Sequence, residues 1–598
     1  MEKNDKIKEL QQQINDLPKG SISKKEINGK KYYYHRIYVN QKRIENYIKA
    51  EQVEELEKKI DLRKELEQEL KLLKAKQIKK EEHRKIRTDY LLNIRIGDEL
   101  KSFADTVKKY KKREIINTVE KYIYDSLQEK VLILYGLRRT GKTTIIRQII
   151  NEMSMDVLKQ TVFIQVSSDD TLASLNKDLR KLEKQGFKYI FIDEVTLLED
   201  FIEGAALFSD IFVASGMKIV LSGTDSLGFI FTKSEQLYDR CILLHTTFIP
   251  YREFENVLGI NGIDKYIEYG GTMSVGGVNY NQNHILNNVN SVNEYIDTAI
   301  AKNIQHSLKY YDNGNHFRHL HELYENDELT NVINRVVEDI NHRFTKEVLI
   351  KEFKSNDLSI SARNLRKDRN NPNIILDEIN HEKFTKNLKN MLEILNLNEQ
   401  NVDLDEAHVE EIKEYLKLLD LIYEIKTRSF PKINDIKMTN VISQPGLRYA
   451  QAMSFVESLL MDDKFNELSI KDKNYVITRI LNEIKGRMME EIVLLETTIA
   501  NPKKEVFKLQ FAIGEYDMVV FDPNTLSCEI YEIKYSTEVV NEQYKHLIDE
   551  EKNKLTEHKF GDIVNKGVIY RGESKIINNI RYINVEEYLK SINKKKSK

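Results

Sequence analysis

The sequence predicts a multidomain α/β protein built around a parallel β-sheet with helices on both faces. Between residues 131 and 260, short apolar segments alternate with helical stretches, which is typical of parallel sheets with helical crossovers. The chain has 598 residues, enough for three or more domains of about 100–200 residues each. A second group of apolar strands follows a helix near residue 475, so a C-terminal α/β domain is also expected.

Composition and charge exclude several classes of protein. Lys and Arg total 93 and Asp and Glu total 95, so the overall charge does not indicate a polyanionic partner. The two cysteines, Cys241 and Cys528, are far apart, which argues against a disulfide framework and a zinc site. Apolar runs such as 131–134 are too short to span a bilayer, and the N-terminus lacks an apolar signal core. We therefore expect a cytoplasmic protein that does not associate with a membrane.

Residues 1–50 are predicted to form a basic β-meander. Asn28-Gly29 is a strong hairpin signal, because both residues tolerate a positive φ. The three predicted strands are 22–27, 30–39 and 42–48.

The meander allows two interpretations. Between Lys19 and Lys49, nine bases and two acids are interleaved with five tyrosines. The lysines could neutralise phosphates while the tyrosines pack on sugars or bases, which would make the meander a nucleic-acid contact. Alternatively, the tyrosines bury against the following helix and the lysines keep the sheet edge soluble. The sequence leaves both open.

Residues 51–114 are predicted to be a charged helical connector. Its first part carries a rough apolar stripe flanked by alternating Glu and Lys, which is typical of a long surface helix. The stripe is too irregular to indicate a coiled-coil dimer, so oligomer formation stays open. Its members are Val53, Leu56, Ile60, Leu66, Leu70 and Leu73.

Residues 115–260 carry the predicted nucleotide-binding sheet. A strand followed by the pattern G-x-x-x-x-G-K-T and an amphipathic helix is the context in which such a loop binds phosphates. Lys142 is expected to reach the β- and γ-phosphates of ATP, and the Thr143 hydroxyl is expected to bind Mg²⁺. The five predicted strands are 131–135, 161–166, 189–192, 218–221 and 242–245. The expected ATP contacts are Gly136, Leu137, Arg138, Arg139, Thr140, Gly141, Lys142, Thr143 and Thr144.

Further candidate residues follow the later strands of this domain. Asp193 and Glu194 end a buried strand, so Asp193 is predicted to hold Mg²⁺ and Glu194 to polarise the attacking water. Ser222 or Thr224, after the next strand, is a candidate sensor of the γ-phosphate. Arg240 is a candidate arginine finger acting in trans, although isolated arginines are more often simply solvated.

Two further regions complete the chain. Residues 261–470 are predicted to be helical, and the stretch 409–425 has apolar residues at helical spacing before an extended end, as in the second half of a winged-helix unit. Residues 471–590 are predicted to form an α/β domain. It would contain a helix around 475–498 and strands near 505–511, 516–521 and 528–534.

A second candidate site lies in this C-terminal domain. Asp517 begins one strand, and Glu532 and Lys534 lie two residues apart on the next strand, so that they share a face. Two carboxylates can hold a divalent metal, and a neighbouring ammonium can orient a water or stabilise charge in a transition state. Acids and lysines at alternate positions are also common on solvated strands, so the pattern alone leaves the role of these residues open.

Several segments together resemble a family of prokaryotic AAA+ type ATPases. In that family, a winged-helix-like region follows the ATPase domain, and a domain similar to the PD-(D/E)XK nuclease fold closes the chain. The resemblance covers residues 115–590 and implies Glu490 as a third metal-binding carboxylate, although helical periodicity does not exclude Glu491. Tyr516 stands where the wider superfamily usually has proline. The matching segments are GLRRTGKTT, FIDEV, IVLSGTDSL, Asp239-Arg240, FIPYREF, Pro445-Gly446-Leu447-Arg448, Gly486 to Glu490, Gly514 to Asp517 and Glu532 to Lys534.

The leading functional hypothesis is an ATP-dependent, Mg²⁺-requiring ATPase that acts on nucleic acid through its nuclease-like domain. The alternative is a signalling or scaffold ATPase whose nuclease-like domain only binds a partner. The sequence does not separate ATP from GTP, and it does not identify the nucleic acid.

Overall fold

The computed structural model of the chain divides into two compact units, residues 1–94 and 95–598. Each unit is described by itself below. The described residues are 13–14, 17–27, 30–39, 42–64, 66–67, 70, 90–124, 129–198, 201–224, 229, 237, 239–271, 318–325, 328–329, 332–333, 336–337, 406–460 and 463–592.

The first unit is a three-stranded antiparallel sheet followed by a helix. Strands β1 (Ser21–Ile27), β2 (Lys30–Val39) and β3 (Lys42–Ile48) lie in sequence order, as the sequence predicts. Residues 53–64 are helical, and the 71–89 part of the predicted charged helix lies outside the described residues. A short strand, β4 (Asn93–Arg95), follows.

The second unit begins with the predicted parallel sheet. Five strands lie in the order β6-β7-β8-β5-β9, and every neighbouring pair among them is parallel. Leu132 and Leu134 on β5 pack with Ile146 of the helix after the loop and with Phe163 of β6. The loop after β5 therefore emerges at the carboxyl edge of the sheet. The strands are β5 (Val131–Tyr135), β6 (Thr161–Gln165), β7 (Tyr189–Asp193), β8 (Lys218–Gly223) and β9 (Cys241–His245).

Helices cover this sheet and lead away from it. Among the described residues they are α1 (Gly97–Asp105), α2 (Ile116–Tyr124), α3 (Lys142–Glu152), α4 (Met155–Leu158), α5 (Leu172–Lys184), α6 (Phe201–Gly204), α7 (Tyr251–Leu258) and α8 (Ile263–Tyr269), with a 3₁₀ turn at Val195–Leu197 and a π-helical turn at Phe208–Val213.

The middle region is described only in part, because most of residues 272–405 lie outside the described ranges. Its described helices, α9 (Arg318–Glu325) and α10 (Glu406–Leu418), share one apolar core that also contains Leu137. The helix predicted over 409–425 ends at Leu418, because Asp420 adopts a left-handed φ of 56° and a strand begins at Ile422.

The hairpin after α10 joins the C-terminal sheet. Strand β10 (Ile422–Ser429) pairs with β11 (Lys437–Ile442) on one side and runs parallel to β12 on the other. The eight-stranded sheet has the order β11-β10-β12-β13-β14-β15-β17-β16. The remaining strands are β12 (Glu505–Gln510), β13 (Glu515–Asp522), β14 (Ser527–Lys534), β15 (Asp562–Tyr570), β16 (Lys575–Ile577) and β17 (Ile580–Asn584).

Two helix layers pack on the C-terminal sheet. The long helix buries Met488 and Val493 in a core shared with Met518 of β13, while Phe560 of the later helix shares a second core with Val519. Neighbouring residues of β13 thus point to opposite faces, as strand geometry requires. The helices are α11 (Pro445–Leu460), α12 (Asp463–Asn466), α13 (Ile470–Ala500), α14 (Glu550–Phe560) and α15 (Val585–Ser591).

Within the described ranges, none of the helices is both long and apolar enough to cross a membrane. Cys241 and Cys528 do not form a disulfide bond with each other.

Candidate functional site

The loop between β5 and α3 has the curled backbone that phosphate binding requires. Gly136 has a φ of 140°, and a Cβ placed on it would lie 2.4 Å from the carbonyl oxygen of Thr246. Gly141, directly before α3, has a φ of 93°. Any other residue at these two positions would be strained, and at Gly136 it would also clash. The amino end of α3 therefore opens onto this loop at the carboxyl edge of the sheet.

Lys142 is buried within the loop. Its ammonium donates to the carbonyl oxygens of Gly136 at 2.7 Å and Leu137 at 2.8 Å. Burial lowers the pKa of Lys142 to about 8, although the nearby carboxylates of Glu194 and Asp193 oppose that shift. A phosphate next to this ammonium would add negative charge and favour its protonated form.

The predicted Mg²⁺ residues meet across the sheet edge. Thr143 Oγ1 donates to Asp193 Oδ2 at 2.8 Å, and Asp193 Oδ1 accepts from the Glu194 backbone N–H at 3.2 Å. A hydroxyl beside a buried carboxylate is a set of hard oxygen donors, and Mg²⁺ prefers such donors. Thr143 and Asp193 therefore fit this ion.

Glu194 is held in an uncommon conformation beside this pair. Its φ is 56°, in the left-handed region that non-glycine residues rarely adopt. Thr224 Oγ1 donates to Glu194 Oε2 at 3.3 Å. Burial, and then the Asp193 carboxylate, raise the pKa of Glu194 above its ordinary value. Of the two candidate sensors, Thr224 thus contacts Glu194, whereas Ser222 Oγ is buried without a hydrogen-bond partner in the described part of the chain.

Arg240 lies at the opposite edge of the sheet from the loop. Its backbone carbonyl accepts from the N–H of Val131, the first residue of β5, whereas the phosphate-binding loop follows the last residue of that strand. Its guanidinium contacts both carboxylate oxygens of Asp210 at 2.8 Å. Arg240 therefore does not reach the phosphate-binding loop of its own chain.

A buried arginine, Arg113, which was not predicted from the sequence, donates a hydrogen bond to the phosphate-binding loop. Arg113 forms an ion pair with Glu253, and the two side chains are only 5% and 6% exposed. The same guanidinium donates to the carbonyl oxygen of Thr140 at 2.8 Å. The neighbouring Glu114 pairs with Arg252, so residues 113–114 and 252–253 form two reciprocal ion pairs. Both dipeptides read Arg-Glu, so pairing them in antiparallel order matches each arginine with a glutamate, and this repeated dipeptide was the signal that could have indicated them.

Two contacts link the phosphate-binding loop to the middle region. Leu137 lies in the apolar core of α9 and α10. His245, at the end of β9, stacks on Tyr135 with a centroid distance of 4.5 Å, and its Nδ1 lies 2.9 Å from Asp420 Oδ2. The loop and the end of β9 therefore contact the middle region and the segment that precedes β10.

The acids and the lysine predicted for the C-terminal site come together. Met518 and Tyr531 pair across β13 and β14, so the next positions, Asp517 and Glu532, are neighbours. Lys534 Nζ lies 2.8 Å from Asp517 Oδ2 and 2.6 Å from Glu532 Oε2. Glu532 Oε1 is buried without a hydrogen-bond partner in the described structure.

The same contacts divide the charge unequally between the two acids. Burial opposes ionisation of Asp517, but the Lys534 ammonium and the Ile533 backbone N–H hold its pKa below the ordinary value. Burial, and then the Asp517 carboxylate, raise the pKa of Glu532 well above its usual range. Burial also opposes protonation of Lys534, but both carboxylates raise its pKa.

The predicted third carboxylate is engaged elsewhere. Glu490 pairs with Lys508 and lies 3.4 Å from Arg487, and Glu491 pairs with Arg448. In the described ranges no three His, Cys, Asp or Glu side chains are grouped so that they could hold a metal ion. The structure thus brings together Asp517, Glu532 and Lys534, and it gives Glu490 cationic partners of its own.

Comparisons with known proteins agree with the loop geometry. Residues 128–255 match the family model described as an AAA domain, and residues 2–58 match a domain of unknown function, DUF6788. No curated protein matches the chain. Among solved structures, the Aeropyrum pernix Orc1 protein in complex with DNA is 13% identical, with 61% of this chain and 97% of that chain covered and a TM-score of 0.22.

The match to the AAA domain spans the phosphate-binding loop, the Asp193-Glu194 pair and Thr224. The chain therefore contains an AAA-type ATPase domain, and ATP is the nucleotide that such a domain uses, typically with Mg²⁺.

Proposed function

We propose that the chain binds and hydrolyses ATP at the loop of residues 136–144 and uses the turnover to act on nucleic acid through its C-terminal domain. The observation that carries the ATPase proposal is the 2.8 Å contact from Thr143 to Asp193, next to the buried Lys142 and the half-buried Glu194. Four residues from two separate segments thereby form one polar pocket at the carboxyl edge of a parallel sheet. Ligands of open α/β sheets bind at this edge.

Each group in this pocket has a distinct task. Backbone N–H groups of the loop and the amino end of α3 hold the phosphates, and Lys142 neutralises the β- and γ-phosphates. Thr143 and Asp193 would hold Mg²⁺, which supplies neutralisation of the charge on the transferred phosphoryl group. Glu194 orients the attacking water and accepts its proton, and burial raises the pKa of Glu194, which makes it a stronger base than an exposed glutamate.

The ATPase proposal is tested by Asp193→Asn, compared with Asp169→Asn on the exposed loop after β6. Loss of the Asp193 charge weakens the Mg²⁺ site, so ATP hydrolysis should fall sharply and require more Mg²⁺, whereas Asp169→Asn should hydrolyse ATP like the wild type. A Mg²⁺ titration of phosphate release provides the measurement. If Asp193→Asn hydrolyses ATP at the wild-type rate and with the wild-type Mg²⁺ requirement, Asp193 does not bind the catalytic Mg²⁺.

The chain order of the C-terminal domain supports a nuclease-like fold. Helix α13 precedes three antiparallel strands, β12 to β14, and then α14 leads to β15, which runs parallel to β14. Asp517 and Glu532 would hold a divalent cation, which supplies stabilisation of charge on a scissile phosphate. The buried and unpartnered Glu532 Oε1 fits such a ligand, and Lys534 would orient the attacking water.

One observation favours the alternative, in which the nuclease-like domain only binds a partner. The Lys534 ammonium bridges Asp517 and Glu532 and so neutralises the pair without a metal. A signalling or scaffold ATPase would need this triplet only for stability, because breaking a buried ion pair is strongly destabilising.

Plasmid cleavage in Mg²⁺ or Mn²⁺ separates the two functions. The cleavage proposal expects nicked or linear plasmid from the wild type and intact plasmid from Asp517→Ala and Lys534→Ala. Asp522→Asn, at the other end of β13, is the matched control and should cut normally. Intact plasmid from a wild type that still hydrolyses ATP would support the binding module instead.

A further inference from the structure

The strand register of the N-terminal sheet sorts its residues onto two chemically different faces. In β2, even-numbered residues share one face and odd-numbered residues share the other. Tyr34 pairs with Ser23 on β1 and with Tyr47 on β3, while Arg36 pairs with Ser21. Four of the five tyrosines therefore lie at positions of one face, which we call the tyrosine face. Its aromatic positions are Tyr32, Tyr34, Tyr38 and Tyr47.

The other face supplies the interior of the unit. Ile37 pairs with Ile44, and Ile48 pairs with Tyr33 on this side of the sheet. Ile48 is buried, as is Ile60 in the helix that follows. The aliphatic residues of the sheet thus account for the core. Of the five tyrosines, Tyr33 is the one whose strand position lies on the same face as Ile48, and it is partly exposed.

The tyrosine face presents aromatic rings and bases together. Tyr47 is 60% exposed, and its ring meets that of Tyr34 edge to face at a centroid distance of 6.0 Å. Arg36 lies next to this pair on β2 and is partly exposed. Serines, which have small side chains, occupy the β1 positions opposite Tyr34 and Arg36. By register, the face carries the basic positions Lys25, Lys30, Arg36 and Arg43 and the single acidic position Glu45.

We propose that the tyrosine face binds duplex DNA, with Arg36 on a phosphate and with Tyr34 and Tyr47 packed against sugar and base edges. An excess of bases over acids is complementary to a phosphate backbone, and tyrosine is able to pack on nucleotides. This proposal deepens the proposed function, because it names where nucleic acid is held. It does not depend on ATP hydrolysis or on cleavage.

The accessibility of the grooves favours duplex DNA over duplex RNA. The major groove of B-DNA is about 12 Å wide and admits protein side chains to the base edges. The major groove of duplex RNA is deep and too narrow for side chains to read. A face of tyrosines and bases therefore suits the major groove of DNA.

Two single-charge variants on opposite faces of the same sheet provide the test. Arg36→Gln removes a base from the tyrosine face, and Lys24→Gln removes an exposed base whose register partner is Tyr33, on the other face. Binding of the full-length protein to a short labelled duplex DNA is measured by fluorescence anisotropy over a range of salt concentrations. Arg36→Gln should weaken binding about tenfold. It should also make the slope of the logarithm of the binding constant against the logarithm of the salt concentration less steep by about one. Lys24→Gln should leave both unchanged.

The aromatic pair is tested in the same assay. Tyr34→Ala with Tyr47→Ala should weaken binding about tenfold or more, whereas the double Phe variant keeps both rings and should bind nearly as well as the wild type. Circular dichroism and ATP turnover confirm that each variant is folded. Equal affinities for the wild type, Arg36→Gln and the double Ala variant would overturn the proposal, and so would tighter binding of duplex RNA than of duplex DNA. Normal ATP turnover by a wild type that does not bind duplex DNA would contradict this proposal alone, and DNA binding by a wild type that does not hydrolyse ATP would contradict the ATPase proposal alone.

Discussion

Removal of the Arg113 side chain should destabilise the ATPase domain and displace the phosphate-binding loop. Arg113 pairs with Glu253, and its guanidinium also donates to the carbonyl oxygens of Thr140 and Thr247. Arg113→Ala leaves a buried carboxylate and buried carbonyls without a donor. Removing one partner of a buried ion pair costs about 3–5 kcal/mol. Glu253→Gln keeps an acceptor but leaves the buried Arg113 guanidinium without a counter-charge, so its cost should also be about 3–5 kcal/mol.

The neighbouring ion pair provides the control. Glu114 also pairs with helix α7, through Arg252, but the Glu114 side chain is 57% exposed. Exposed pairs contribute about 0–1 kcal/mol, so Glu114→Gln should be nearly neutral. Glu253→Gln and Glu114→Gln make the same chemical change in ion pairs that both involve helix α7, and these two pairs differ mainly in burial.

Urea unfolding of the ATPase domain and the affinity for ATP provide the two measurements. Arg113→Ala should lower the free energy of unfolding by about 3–5 kcal/mol and weaken ATP binding, because the Thr140 carbonyl loses its donor. Glu114→Gln should change the free energy of unfolding by less than about 1 kcal/mol. Similar effects of Arg113→Ala and Glu114→Gln would refute the argument that burial sets the strength of these pairs.

Three further predictions concern single side chains. Glu194→Gln should bind ATP normally but lower hydrolysis by about 10²–10⁴-fold, and unchanged phosphate release would exclude Glu194 as the base. Burial raises the pKa of Glu496 to about 7, so the stability it contributes is complete below about pH 4.5 and is lost as the pH rises through about 7. In urea unfolding, Glu496→Gln should therefore be more stable than the wild type at pH 8 by about 1–3 kcal/mol and show no such gain at pH 4; parallel pH profiles would contradict this. Arg240→Gln should leave ATP affinity within about twofold of the wild type, and a large loss would place Arg240 at the phosphates of its own chain.

The local pattern of the sequence predicts the parallel sheet closely. The predicted strand over 131–135 is identical to β5, and those at 189–192 and 218–221 differ from β7 and β8 by one or two residues at the carboxyl end. Short apolar runs between helices determine such strands, because each run must bury on both faces. The contact of Thr143 with Asp193 is consistent with the same arrangement, since the carboxyl ends of all the parallel strands lie at one edge of the sheet.

Features that depend on distant partners could not be predicted in this way. The pairing of Arg113 with Glu253 joins residues 140 positions apart, and no periodicity indicates it. The sequence predicts an extended segment after the helical stretch 409–425. The structure has a strand there, β10, but β10 begins at Ile422 and runs parallel to β12, so it belongs to the C-terminal sheet. The role of Glu490 was implied by resemblance alone, and its pairing with Lys508 depends on how α13 packs on the sheet.

The most direct test of the account is ATP turnover by Lys142→Ala beside Lys159→Ala. Lys142 lies buried in the phosphate-binding loop, whereas Lys159 is an exposed lysine just after α4. The account predicts that Lys142→Ala abolishes phosphate release and that Lys159→Ala hydrolyses ATP at the wild-type rate. Phosphate release that persists in Lys142→Ala would contradict the account, because hydrolysis would then take place at another site.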